Sequence, residues 1–338
     1  MSPRAFVLGC AGTALDADER EFVAVTEPWG LILFRRNVES PEQLRALAAS
    51  FRSLVGRDDA PVLVDQEGGR VQRLGPPHWA RHPAAARYAE LHDRDPERAL
   101  ALARLGGELT ARDLRASGIT VDCAPVLDLP VEGASSVIGD RAFGRDPVTV
   151  AALAGGWAEG LMAGGALPVV KHVPGHGRAA VDSHLELPVV DADRAALERD
   201  FAPFRALNHL PMAMTAHIVF RALDPERPVT TSKRAIDAVI RGEIGFDGLL
   251  LSDDLSMEAL KGSLGERAAA ASAAGCDMLL HCNGRMAEAR AVAEAAPVLD
   301  GRAAERAAAA LSRLSAPTPR DLGADRAAFA AAMLPAEA

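Results

Sequence analysis

Cysteine is scarce in this chain of 338 residues, and none of the four (Cys10, Cys123, Cys276, Cys282) belongs to a CxxC pair. Standing singly, most of them in apolar stretches, they read as buried reduced thiols of a cytoplasmic protein and not as a disulfide framework. Long apolar runs are missing too: no segment approaches the length of a membrane-spanning helix. The N-terminal MSPRAFVLGCAGTALDADERE has an apolar stretch too short, and too soon followed by acids, to serve as a secretory signal. Excess positive charge is absent as well. With 37 Lys and Arg against 46 Asp and Glu the formal net charge is −9, so nucleic acid and anionic membranes are not expected partners, although a locally basic pocket is compatible with that balance. Finally, the first strand-to-helix turn, LGCAGTAL, lacks the GxGxxG of a dinucleotide site, which counts against a doubly wound open sheet. No internal repeat is evident, and no linker is long enough to separate two domains.

What the chain does have is an alternation of short apolar runs with helical patterns. AFVLG near residue 5, GLILF at 30, PVLVD at 61, ITVDCAP at 119, LPVVKH at 167, PMAMTAH at 211, GLLLSD at 248 and CDMLLHC at 276 are nearly continuous apolar runs. Such runs fit parallel strands covered on both faces. Between them lie amphipathic stretches: PEQLRALAASFRSLV, DPERALALARLGGELTARDLRASG, DPVTVAALAGGWAEGLMAGG, DADRAALERDFAPFRAL, TSKRAIDAVIRGEIG and ERAAAASAAG. Several have a capping residue in front and a glycine behind. The spacing predicts eight strands alternating with eight helices, a single (β/α)₈ barrel over residues 1–314. Residues 315–338 are expected to form a tail packed on that barrel or partly mobile.

In such a barrel functional groups belong at the C-terminal strand ends. Those ends supply Asp65, Gln66 and Glu67, then Asp122 and Asp128, Lys171 and His172, His217, and Asp253 and Asp254. In LLLSDDLSM, Asp254 suits a cap for a helix starting near Leu255, while Asp253 suits the mouth of the pocket, as a nucleophile or a stabiliser of a developing cation. The richest stretch is VVKHVPGHGRAAVDSHLELP, residues 169–188, with three of the nine histidines. Its Asp182 and His184 are spaced i, i+2, so in extended backbone the carboxylate could contact the imidazole and prepare it for proton transfer. Three readings stay open on these residues alone: proton transfer, a zinc or iron site from His172, His176, Asp182 and His184, and plain surface polarity. Arg70 and Arg73 beyond the double glycine of DQEGGRVQRLG, and Arg141 in VIGDRAFGRDP, are further ligand grips or surface cations. Glu67 is either a second catalytic carboxylate or an arginine's partner.

Taken together, DQEGGRVQR, IGDRAFGRDP, KHVPGHGRAAVDSH and GFDGLLLSDDLSM resemble the bacterial β-N-acetylhexosaminidases of glycoside hydrolase family 3, in order from about residue 5 to 285. The resemblance implies a retaining exo-β-N-acetylglucosaminidase of the single-barrel, peptidoglycan-recycling branch. By motif it makes Asp253 the nucleophile and His184 the general acid/base, with Asp182 as its partner. Asp65, Arg73, Arg141, Lys171 and His172 become the sugar-binding residues. It implies a small amino-sugar or muropeptide substrate, no metal or organic cofactor, and a cytoplasmic protein, expected to be a monomer. His176 and Arg178 receive no role from it.

Overall fold

The computed structural model describes residues 2–183, 186–317 and 319–333. His184, to which the sequence assigns the acid/base role, lies outside the described residues. Eight parallel strands close into a barrel in chain order: β1 (Arg4–Gly9), β2 (Pro28–Leu33), β3 (Val62–Val64), β4 (Val121–Asp122), β5 (Leu167–Val173), β6 (Met212–Thr215), β7 (Leu249–Asp254) and β8 (Met278–His281). The seam is made by β1 against β8, with Phe6 opposite Leu279 and Leu8 opposite His281. Each strand overlaps one of the eight apolar runs, with ends that differ by a few residues, so the (β/α)₈ expectation holds.

The helices are α1 (Ala17–Thr26), α2 (Pro41–Val55), α3 (Ala85–His92), α4 (Pro96–Ala116), α5 (Pro147–Ala163) and α6 (Arg194–Ala206). After β6 the short α7 (Lys233–Ala235) runs on as a π-helix over Ile236–Glu243, and α8 (Leu264–Ala274) follows β7. Beyond β8 come α9 (Met286–Ala295), α10 (Gly301–Leu311) and α11 (Leu322–Met333). The strict one-to-one alternation is therefore too simple: α3 and α4 both follow β3, and three helices follow β8. α1 escapes pattern reading because it buries only Glu19, Phe22 and Val23, too few apolar positions for a stripe. α2, by contrast, buries Leu44, Leu47, Ala48, Phe51 and Val55. Ser40 caps its start by accepting the Gln43 N–H. Gly56, at φ +63°, ends it in the left-handed region that glycine enters without a Cβ clash.

The two-residue period of the strands sorts their side chains into two cores. Val7, Ile32, Leu63, Val121, Leu167, Val169, Met212, Met214, Leu249, Leu251, Met278 and Leu280 fill the barrel interior. Phe6, Leu8, Leu31, Leu33, Val62, Val64, Val170, Ala213, Leu250 and Leu279 face the surrounding helices. All four cysteines are buried and free. No helix among the described residues is long and apolar enough to cross a membrane. Near the C-terminus α11 packs on α4, burying Phe329 and Met333 and holding Asp113 through Arg326 at 2.6 Å.

Candidate active site

Continuing the inward parity past each strand end identifies the residues that reach the barrel mouth. Phe34 follows Ile32, Asp65 follows Leu63, Lys171 follows Val169 and Asp253 follows Leu251. All four line one cavity of about 230 Å³, together with Glu67, Arg73, Arg141, His172 and Asp182. Every catalytic or binding residue named from the sequence is thus in this cavity, apart from the undescribed His184. Phe34, Val71, Met214 and Met257 contribute apolar wall. Four strand-end candidates, Gln66, Asp122, Asp128 and His217, do not line the cavity. Asp122, of the opposite parity to Val121 and Cys123, faces the helices. There burial pushes its carboxyl well above the usual range, and Oδ1 accepts the Gln66 N–H at 2.9 Å. His217 is buried between Thr230 Oγ1 at 2.7 Å and the Asp254 carbonyl at 2.9 Å. It orders the end of β7 and does not line the cavity.

A chain of ion pairs forms one wall. The Lys171 ammonium donates to Asp65 Oδ1 at 2.8 Å and pairs with Glu67 Oε1 at 2.8 Å. Arg73 donates to the other Asp65 oxygen at 3.0 Å. Arg141 clamps Glu67 with two bonds of 2.8 Å. Burial by itself would raise both carboxyl groups, but Lys171 with Arg73 holds Asp65 below the usual carboxylate range, and Lys171 with Arg141 does the same for Glu67. The same acids outweigh the burial of Lys171 and raise its ammonium above the ordinary lysine value. Glu67 is therefore the structural partner of the two alternatives, a fixed anion that orients two cations. Arg70 also lines the cavity but takes no part in this chain of pairs; it is exposed and paired with Asp140 at 2.9 Å.

An antiparallel hairpin of Gln66–Gly68 with Val71–Gln72, which carries Glu67 and leads into Arg73, is held from within. Gln66, fully buried, accepts the N–H groups of Arg73 and Leu74 on Oε1 and donates to the Leu74 carbonyl. That fixes the backbone of Arg73 directly, while its guanidinium lies over the Phe34 ring at 5.5 Å.

Asp128 organises the histidine stretch. Its Oδ2 is 2.8 Å from His172 Nδ1, and Oδ1 accepts the backbone N–H groups of His172 at 3.2 Å and His176 at 2.6 Å. Burial would raise this carboxyl, yet the two imidazoles lower it. His176 itself, buried and beside His172, is depressed to about 4. Its Nε2 is hydrogen-bonded to Ser183 Oγ at 3.0 Å. Gly175, at φ +141°, and Gly177 make the turn: a Cβ on Gly177 would stand 1.9 Å from the Leu129 carbonyl oxygen, so only glycine fits there. Arg178 reaches outward to Asp200 at 2.5 Å and to the Ala196 carbonyl on α6. Asp128, Ser183 and Phe34 are contributors that motif reading left without a role; for Phe34 the strand-end parity would have sufficed. Of the rival metal set, His172 is bonded to Asp128 and His176 to Ser183, while His184 lies outside the described residues. Among the described residues no three His, Cys, Asp or Glu side chains form a group that could hold a metal ion.

At the end of β7 the two aspartates separate in function. Asp254 accepts Ser256 N–H and Ser256 O–H on its two oxygens and also the Cys282 N–H. No helix starts near Leu255, because α8 begins only at Leu264; Asp254 caps a turn there instead and stitches β7 to β8. Asp253 accepts the Asp254 N–H on Oδ1 at 2.8 Å; both residues line the cavity, but Asp253 is the one in the inward register of Leu249 and Leu251.

The buried histidines have a consequence for stability. Unfolded, His176 takes up its proton near 6.5; folded, it resists until about 4. The unfolded state therefore binds more protons in that interval, and stability present above pH 6.5 is lost as pH falls toward 4, by on the order of 3 kcal/mol for full protonation. His217, lowered mainly by burial, acts in the same direction. Asp65, Glu67 and Asp128, all lowered, add their losses only further down, below the unfolded carboxylate value. Urea midpoints should drop between pH 7 and 4.5, and His176→Gln should flatten that drop. An unchanged slope in the variant would show that His176 does not carry it.

Comparison with known proteins agrees with this geometry. The model of the glycosyl hydrolase family 3 N-terminal domain matches residues 6–315. A β-hexosaminidase of Alkalilimnicola ehrlichii is 48% identical over 282 residues, 82% of this chain and 80% of the relative. One from Pseudomonas aeruginosa is 40% identical over 323 residues, covering 94% and 89%. Among solved structures, NagZ from Neisseria gonorrhoeae, in complex with N-trifluoroacetyl-D-glucosamine, superposes with a TM-score of 0.89 at 33% identity over 99% of both chains. With the family model spanning nearly the whole barrel and its ion-paired mouth, the chain belongs to glycosyl hydrolase family 3.

Proposed function

We propose that this glycoside hydrolase is a retaining exo-β-N-acetylglucosaminidase. The observation that carries the reading is the shared cavity, lined together by Asp253, the Asp65–Lys171–Glu67–Arg141 wall, His172 and Asp182. The barrel interior beneath is filled by side chains such as Met214 and Leu280, so the cavity ends blindly and suits a chain terminus. Alternating fixed anions and cations suit hydroxyl groups, which donate to Asp65 and accept from Lys171 and Arg73. The relatives named β-hexosaminidase, and the neighbour bound to an N-acylated glucosamine, support a 2-acetamido sugar.

In this reading Asp253 attacks the anomeric carbon while His184 protonates the departing glycosidic oxygen. His184 then deprotonates the water that releases the sugar from Asp253, restoring both groups. Asp182 orients the imidazole and stabilises its charged form. Neither step calls on a metal or an organic cofactor. The aglycone we propose is an anhydro-muramic acid unit, with or without peptide, which would assign the protein to cytoplasmic cell-wall recycling as a monomer built of one barrel and a short tail. The test is hydrolysis of aryl β-N-acetylglucosaminide beside aryl β-glucoside. At least a hundredfold preference in kcat/KM for the acetamido sugar is expected, on the order of what polar recognition in a closed site supplies. Comparable rates on both would overturn the assignment.

A further inference from the structure

The loop after β5 is held in two halves, and one buried side chain joins them. Its first half is tied down by Asp128, which accepts the His176 N–H, by Arg178 on Asp200 and Ala196, and by Ala179, whose carbonyl accepts the Ser135 N–H at 2.8 Å. Its second half carries the Asp182-Ser183-His184 triplet. Ser183 is 3% exposed and so is His176, and their 3.0 Å hydrogen bond spans the intervening turn. The imidazole is itself packed edge-on against the His172 ring, centroids 5.4 Å apart, so it cannot swing freely. Asp128 thus anchors a series in which His172, His176 and Ser183 follow one another, from the strand end to the residue between Asp182 and His184.

We infer that His176 is a positioning residue for proton transfer: through Ser183 it sets where the Asp182–His184 segment stands over the sugar, without itself touching the reacting atoms. The inference rests on the proposed glycosidase reading and extends it to a residue that the reading leaves idle. A side chain placed on such a loop only delivers its proton if the loop's far end is held within about an ångström, since small misplacements cost on the order of a hundredfold in rate. The hydrogen bond to a rigidly anchored ring is the means of holding it. The donors and acceptors are neutral, and the bond crosses from the fixed half to the catalytic half.

The test compares leaving groups. Acid assistance matters for a disaccharide or alkyl β-N-acetylglucosaminide, and little for a dinitrophenyl glycoside whose phenolate departs unaided. For His176→Phe, which keeps the ring volume, and for Ser183→Ala, kcat/KM on the poor leaving group should fall by on the order of tenfold to a hundredfold. The dinitrophenyl value should stay within about threefold of wild type, because proton donation contributes little to that substrate. His176→Gln, whose side-chain amide can reach the position of Nε2, should recover most of the loss. The double variant His176→Phe/Ser183→Ala should be no worse than the worse single one, as expected when both act through one contact. Equal losses on both substrates, no loss on either, or additive single losses would overturn the inference while leaving the glycosidase reading intact. A wild-type protein that cleaves neither N-acetylglucosaminide would overturn the glycosidase reading itself and this inference with it.

Discussion

Replacing Asp253 by Asn should abolish turnover, with kcat for an aryl β-N-acetylglucosaminide falling by at least about 10⁴-fold, as expected when a covalent route loses its nucleophile. Leu249 and Leu251 fill the barrel interior, so by strand parity the next inward position is Asp253, on the cavity wall. Asn keeps the side chain's size and its capacity to accept the Asp254 N–H, so the fold should survive with an unchanged urea midpoint. What it lacks is the negative charge and the nucleophilic oxygen. The neighbouring acid provides the control. Asp254→Asn should cost mainly stability, because that carboxylate holds Ser256 and Cys282. A 2-fluoro sugar with a good leaving group should leave a stable adduct, and mass spectrometry should find it on the peptide containing Asp253. An adduct on any other peptide, or a fully active Asp253→Asn protein, would reject the nucleophile assignment.

The second large effect is expected from Lys171→Met. This lysine is 3% exposed and is shared by Asp65 and Glu67, both at 2.8 Å. Removing it leaves two buried carboxylates with only Arg73 and Arg141 to balance them. Breaking a buried pair in this way costs roughly 3–5 kcal/mol, because the stranded charge keeps its desolvation penalty. The carboxyl of Asp65, now held down by one cation where there were two, should take up a proton more readily. Binding should weaken as well, since a donor to the sugar hydroxyls is gone and Asp65 is less firmly aimed. Denaturation together with isothermal titration of N-acetylglucosamine checks both halves. Arg104→Ala, whose partner Glu159 is 55% exposed while Arg104 is 60% exposed, should cost no more than about 1 kcal/mol, since water screens that pair. If Lys171→Met were no more damaging than Arg104→Ala, the ion-paired wall would be ornamental to both folding and binding.

Much of this protein was open to reading from the chain alone. The eight apolar runs sufficed for the barrel, because a strand covered on both faces has no alternative but to be apolar throughout. The barrel in turn says that Asp65, Lys171, His172 and Asp253 share a face, and the inward parity of Leu63, Val169 and Leu251 says which way three of them point. Even Phe34 could be found so. The same rule would have removed Asp122, whose parity turns it toward the helices. The extra helices were harder: α1 buries one acid and two apolar residues, which leaves no stripe to detect.

Tertiary structure alone decided who pairs with whom. Glu67 reads equally well as a catalytic acid or as a partner for arginine until Arg141, 74 positions away, is seen clamping it. Lys171 pairs with Asp65 across 106 positions, and Asp128 reaches His172 across 44. Local sequence determines backbone propensity and the side of a strand from which a group projects, and both act over a few residues. The choice among oppositely charged partners depends on Coulomb energy and desolvation at distances of about 3 Å, and those distances exist only once the barrel has closed. The histidine stretch shows the division most clearly. Its spacing announced chemistry, but only the closed barrel could turn His176 from a possible metal ligand into the partner of Ser183.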